Sequence, residues 1–145
     1  MSTKMSLVSS IHRASDPRIF GPGLWFAIHT LSFDLNEKSD ELKFSAMLSK
    51  LINNLKCPKC KKHAIAYLKR KPITKRQNAK HLGEDVSVFR WTWIFHNYVN
   101  SILGKPLVSF IDAFDMFRNN TNVCSKGCGS GKSNFRGITP IYSHQ

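Results

Sequence analysis

The chain has 145 residues, 41% of them hydrophobic, which is enough for one domain with a modest core. Its 22 Lys and Arg against 9 Asp and Glu give a formal charge of +13, a surface that attracts acidic protein, nucleic acid or anionic membrane without choosing among them. No apolar run reaches membrane-spanning length, Met1 to Ser15 lacks the apolar block of a secretory signal, and four cysteines are too few for a disulfide-stapled miniprotein.

No internal repeat and no strand alternation stand out, and the recurring pattern is helical. Gly21-Pro22-Gly23 is expected to break the chain, after which Leu24, Trp25, Ile28 and Leu31 recur at helical spacing. Trp25 and His29 then share one face, four residues apart. Ser39 is the expected N-cap of a second helix, whose Phe44, Met47, Leu48, Leu51, Ile52 and Leu55 form a single apolar stripe. Pro58 suits the first turn of a third helix, with Ala64, Ile65, Tyr67 and Leu68 facing inward and an end before Pro72. Residues 71–84 read as a basic loop. A fourth helix runs from about Val86 to Leu103, stopped by Gly104 in the left-handed conformation and by Pro106. Ser109 and Asp112 make a capping-box-like start for a short fifth helix carrying Phe110, Ala113, Phe114 and Phe117. The expected fold is therefore all-α, a four-helix bundle with a short fifth helix. Residues 15–118 form its domain, between a flexible N-terminal segment (1–14) and a Gly/Ser-rich basic tail (119–145).

Cys57-Pro58-Lys59-Cys60 carries the chemistry. Both sulfurs fall at the start of the third helix, where the dipole favours thiolate over thiol, and Lys56, Lys59, Lys61 and Lys62 act in the same direction. Two cysteines so spaced serve as a redox dithiol, as half of a zinc site, or as nothing. Zinc would need Cys124 and Cys128, or His63, as further ligands. Roughly sixty residues of patterned helix separate the two pairs, unlike the short spacing of ordinary zinc modules. A thioredoxin-type fold would need strands around the motif, and none are visible. The remaining reading is a dithiol on a helical scaffold. In the fourth helix His96, Asn97 and Asn100 lie within about one turn, beside Trp91, Trp93 and Phe95. Aromatic planes with amide and imidazole donors suit a flat, hydrogen-bonding cofactor between helices, although that segment alone reads more readily as a buried aromatic core with a satisfied histidine and an Asn cap. Gly129-Ser130-Gly131-Lys132-Ser133 evokes a phosphate-binding loop, but Lys126 stands where its first glycine belongs.

Gly21-x-x-x-Trp25-x-x-x-His29, Cys57-x-x-Cys60 and His96-Asn97-x-Val99-Asn100-x-x-Leu103-Gly104-Lys105-Pro106, in this order, resemble the signatures of the Erv/ALR flavin-dependent sulfhydryl oxidases. The run after Cys57 resembles the short forms of large cytoplasmic DNA viruses. The resemblance implies FAD at the mouth of the bundle and a homodimer. It places Trp25 and His29 on the flavin nucleotide from the first helix, and His96, Asn97 and Asn100 from the fourth. Lys105 would lie near the phosphates, with Gly21, Trp91, Val99 and Leu103 completing the cofactor site. Cys60 would face the isoalloxazine ring and Cys57 would exchange with substrate. Cys124 and Cys128 would be either a shuttle disulfide on a mobile arm or a local structural pair. Three departures stand out: Pro22 follows the first glycine, Trp93 replaces a cysteine of the cellular members, and no cysteine lies between Lys105 and Val123.

The implied activity is FAD-dependent oxidation of dithiol proteins, a thioredoxin-like or small viral redox carrier among them, with O2 as acceptor and H2O2 as product. The implied location is host cytoplasm or virion, with the mitochondrial intermembrane space as alternative. A zinc-binding structural module using Cys57, Cys60, Cys124 and Cys128 is the rival reading. A basic nucleic-acid-binding protein is a second rival, supported by charge alone.

Overall fold

A computed structural model describes residues 14–33, 35 and 37–118; the expectations for the N-terminal segment 1–13, the tail 119–145 and the pair Cys124 and Cys128 lie outside the described residues. Within these bounds the chain is mostly helical, with five α-helices: α1 (Pro17–Phe33), α2 (Lys38–Asn53), α3 (Pro58–Arg70), α4 (Ser87–Ile102) and α5 (Phe110–Arg118).

α1 begins a turn and a half earlier than Gly21-Pro22-Gly23 suggests, and runs through it. The nucleus is Asp16-Pro17. Asp16 Oδ1 accepts from the Arg18 backbone N–H at 2.9 Å, its carbonyl accepts from Ile19 and Phe20, and Pro17 sits where a missing N–H costs nothing. Pro22 does deprive the Arg18 carbonyl of its helical donor, but Arg18 is exposed and water can serve that oxygen. The Asp-Pro start was the signal that the expected break obscured. α2 likewise starts one residue before Ser39: Glu37 is the N-cap, and its carbonyl accepts from Asp40 and Glu41. Ser39 turns its hydroxyl to the Glu37 carboxylate instead.

The stripe on α2 is buried along Phe44, Leu48 and Ile52. It joins Ile28 of α1, Ala64 and Tyr67 of α3, and Trp91 and Phe95 of α4 in one apolar cluster. A second cluster gathers Val86, Phe89, Ala113, Phe114 and Phe117, and seats α5 on the other side of α4. α4 therefore buries residues on most of its circumference, which is why it reads as almost continuously apolar.

Residues 71–84 are more ordered than a loop. A 3-10 turn (Ile73–Lys75) precedes a short hairpin of β1 (Lys80–His81) and β2 (Glu84–Asp85), paired Lys80 to Asp85 and His81 to Glu84. Its two-residue turn places Leu82 at φ 51° and Gly83 at φ 84°, the double left-handed geometry that suits hairpins. Strands of two residues are too short to show alternation. Part-buried Arg76 pairs with Glu41 at 2.7 Å and ties this segment to α2.

Gly104 adopts φ 66° as expected and ends α4. Lys105 N–H donates to the Asn100 carbonyl at 2.9 Å and Gly104 N–H to that of Ser101 at 3.3 Å, the double bond of a Schellman stop. Ser109 Oγ then accepts from the Asp112 N–H at 3.1 Å and starts α5.

Candidate functional site

Cys57 and Cys60 are joined in a disulfide, with Cα atoms 5.3 Å apart. Cys57 is the N-cap of α3, Pro58 is the first helical residue, and Cys57 Sγ accepts from the Cys60 N–H at 3.2 Å. The start of the helix thus aims the Cys60 N–H at the Cys57 sulfur, an arrangement that stabilises negative charge there. Lys56, Lys59 and Lys62 are exposed around it and both cysteines are half-buried. The pair is open to a partner while its helix is anchored in the core.

The second cluster lies between α1 and α4. Trp25 and His96 stack with ring centroids 4.1 Å apart and planes 6° from parallel. His29 Nε2 lies 2.9 Å from His96 Nδ1, and His29 Nδ1 lies 3.0 Å from Thr92 Oγ1. His29 is 4% and His96 6% exposed. Desolvation pushes each pKa down from 6.5 to about 3, the neighbouring imidazole and Lys105 adding to the effect at His96. Both rings are neutral at physiological pH. Ser32, 2% exposed, continues the network, its Oγ 3.0 Å from Thr92 Oγ1.

Thr92 and Ser32 escaped the sequence reading, since isolated hydroxyl residues on an apolar face carry no spacing signal. Only the pairing of α1 against α4 reveals them.

Asn100 follows His96 by one turn and is 4% exposed. Gly21 stands one turn before Trp25, where a Cβ would meet nothing within 4 Å. These two join Trp25, His29 and His96 as candidates to hold a ligand.

Other expected site residues have local duties. Asn97 spends its carboxamide on Val108, accepting from its N–H at 3.0 Å and donating to its carbonyl at 2.8 Å. Trp93 Nε1 donates to that same carbonyl. Trp91 is in the core, donating from Nε1 to the Lys71 carbonyl at 3.0 Å. Val99 packs half-buried against the first apolar cluster, Leu103 is 51% exposed, and Lys105 is half-buried beside the helix stop. Among the described residues no group of three or more His, Cys, Asp or Glu converges as a metal site, and His63 stands half-buried on α3.

Comparison with known proteins agrees with this geometry. Two isolates of African swine fever virus have proteins named FAD-linked sulfhydryl oxidase that are each 28% identical over 121 residues, covering 81% of this chain and 93% of theirs. A putative FAD-linked sulfhydryl oxidase of invertebrate iridescent virus 3 is 24% identical over 107 residues, covering 71% of this chain and 68% of its own. The Erv1/Alr family profile matches residues 22–120, a span that holds the disulfide, the stacked Trp25 and His96 and the stop at Gly104, and the chain belongs to that family.

Proposed function

We propose that the chain is an FAD-dependent thiol oxidase that forms disulfide bonds in dithiol proteins. One observation carries the reading: a solvent-reachable Cys57–Cys60 disulfide caps a helix among lysines in an Erv1/Alr chain. The names of the viral relatives supply the cofactor and the activity.

The residues present fit such a cofactor. Trp25 and His96 form an aromatic stack, the buried Asn100 carboxamide lies one turn beyond His96, and half-buried Lys105 follows the helix stop. Aromatic, amide and cationic groups so gathered are a donor set that suits a flat, hydrogen-bonding, anionic group. We assign FAD to the mouth of a four-helix bundle within residues 15–118. Gly21, Trp25, His29, His96, Asn100 and Lys105 hold it, Trp91, Val99 and Leu103 support it, and Asn97 keeps the α4–α5 link in place.

A substrate thiolate attacks Cys57, forming a mixed disulfide and releasing Cys60 as thiolate. A second substrate thiolate resolves that bond, so the substrate leaves oxidised and both cysteines are reduced. The start of α3 and its lysines stabilise the thiolates. The chemistry supplied by bound FAD is acceptance of two electrons from the Cys57/Cys60 dithiol, which recloses the disulfide, and their delivery to O2 as H2O2. Buried neutral imidazoles at His29 and His96 exclude charge and water from the nucleotide side of the site.

A homodimer belongs to this reading, supported by apolar surface on α1 at Ile19 and Phe26, 52% and 41% exposed. So does a role for Cys124 and Cys128 as a shuttle. Viral relatives support a viral protein, and we place it in the host cytoplasm or virion. No helix among the described residues is long and apolar enough to cross a membrane. The zinc alternative would need Cys57 and Cys60 as thiolates, whereas here they are bonded to each other.

The test is Cys60→Ser. The variant keeps its flavin absorbance but loses dithiol-dependent O2 consumption. Turnover at the wild-type rate would refute the assignment.

A further inference from the structure

One hydrogen joins His29 and His96, between Nε2 of the first and Nδ1 of the second at 2.9 Å. Both rings are neutral, so each carries a single proton and only two arrangements exist. In one, His96 donates from Nδ1, and His29 carries its own proton on Nδ1 and gives it to Thr92. In the other every bond reverses, and Thr92 must donate to Nδ1 of His29.

Thr92 has one hydroxyl hydrogen to spend. Its Oγ1 is 2.8 Å from the Phe89 carbonyl oxygen, 3.0 Å from Ser32 Oγ and 3.0 Å from His29 Nδ1. A carbonyl oxygen only accepts, and this is the shortest of the three contacts. Ser32 Oγ has its own carbonyl acceptor, His29 O, at 3.0 Å. Thr92 is 0% and Ser32 2% exposed, so bulk water does not relieve the shortage of hydrogens. Whether Thr92 donates to Phe89 or to Ser32, its oxygen remains the acceptor for His29 Nδ1–H.

We propose that Thr92, backed by Ser32, holds His29 and His96 as Nδ1–H tautomers and so makes Nε2 of His96 a hydrogen-bond acceptor toward the nucleotide. The ligand group that His96 selects is then an amino or hydroxyl donor. Thr92 and Ser32 are positioning residues, acting through His29. The part concerning the nucleotide rests on the FAD reading; the tautomers do not.

Nitrogen NMR of the isotope-labelled full-length protein reports which imidazole nitrogen bears hydrogen, with and without FAD. Wild type shows Nδ1–H on both rings. Thr92→Val keeps the side-chain shape but removes the acceptor, and a buried N–H facing a methyl is costly. Both rings therefore change to Nε2–H, and the FAD dissociation constant rises about ten- to a hundredfold. Thr92→Ser restores the oxygen, the tautomers and the affinity. Nε2–H on either ring of the wild type overturns the proposal, as do unchanged tautomers in Thr92→Val or unchanged FAD affinity once they have switched. Should Thr92→Val fail to fold, the wild-type and Thr92→Ser spectra still decide the tautomers. A wild type that binds no FAD but shows both Nδ1–H tautomers would sink the oxidase reading and leave the tautomer assignment standing.

Discussion

Mild acid should unfold this protein through its two buried imidazoles. In the folded chain His29 and His96 take up protons only near pH 3, whereas in the unfolded chain they do so at the ordinary 6.5. Between those values the unfolded state binds more protons, so stability is intact above pH 6.5 and is lost as pH falls toward 3. At pH 5 the loss is about 2 kcal/mol for each ring, and about 4 kcal/mol for the pair, a large part of a small domain's stability. Urea denaturation at fixed flavin, at pH 7.5 and pH 5, would record a midpoint lowered by about 1–3 M. The carboxylate of Asp85 does not confuse this window. The Ser87 hydroxyl, then its N–H, hold Asp85 below its ordinary 3.8, so its contribution is present at pH 5 and fades only in stronger acid. A His29→Gln/His96→Gln double variant should lose most of the slope. A midpoint that does not move between the two pH values, or a slope that survives in the double variant, would refute the reasoning.

Two further outcomes follow from local geometry. Asn97→Ala leaves the Val108 N–H without its acceptor, although Trp93 still serves the Val108 carbonyl. The expected cost is about 1–3 kcal/mol in urea denaturation, with amide exchange quickening in α5 and the link before it; unchanged stability would remove Asn97 from that role. Lys59→Glu/Lys62→Glu reverses two exposed charges beside the disulfide, so kcat/KM for an acidic dithiol protein should fall several-fold and lose its dependence on ionic strength. Turnover of a small neutral dithiol should change far less, and an equal fall for both substrates would show that the lysines act on the thiol chemistry instead of on encounter.

Most of the helices were legible because one apolar face offsets the cost of ordering them, α4 being the exception with burial around most of its circumference. Phe44, Leu48 and Ile52 appear as a stripe in the sequence and as a buried ridge in the fold. The stops at Gly104 and the start at Ser109 were legible for a related reason, since left-handed backbone and an uncapped N–H each demand a particular residue. What escaped was decided between segments. Pro22 signalled a break, yet Asp16 had already nucleated the helix and solvent could serve the carbonyl that Pro22 leaves unpaired. The hairpin at 80–85 has no periodicity to find, and it is held by His81 against Phe114 at 4.5 Å. In the candidate site, the sequence named residues that the fold brings together, such as Trp25, His29 and His96, but not the local bonds that occupy others. Asn97 and Asn100 look alike in sequence, and only the position of Val108 shows that the Asn97 amide is spent on the link between α4 and α5.

The two halves of the site are tied through one aromatic scaffold. Cys57 and Cys60 begin α3, while the imidazole pair sits between α1 and α4. Tyr67, farther along α3, stacks on Phe95 of α4 with centroids 4.5 Å apart and 14° between planes. Phe95 in turn meets Trp25 of α1 edge-on at 5.2 Å. These rings are 4% exposed at Tyr67 and 2% at Phe95, and close-packed interiors transmit displacement poorly absorbed by rotamer changes. A redox disulfide that exchanges with large partners is pulled at each encounter, and a helix anchored only by aliphatic contacts could slide. Stacked aromatics resist that motion, because sliding sacrifices both burial and ring alignment. The half-exposed cysteines can therefore meet a substrate while α3 stays in register with the rings of α1 and α4.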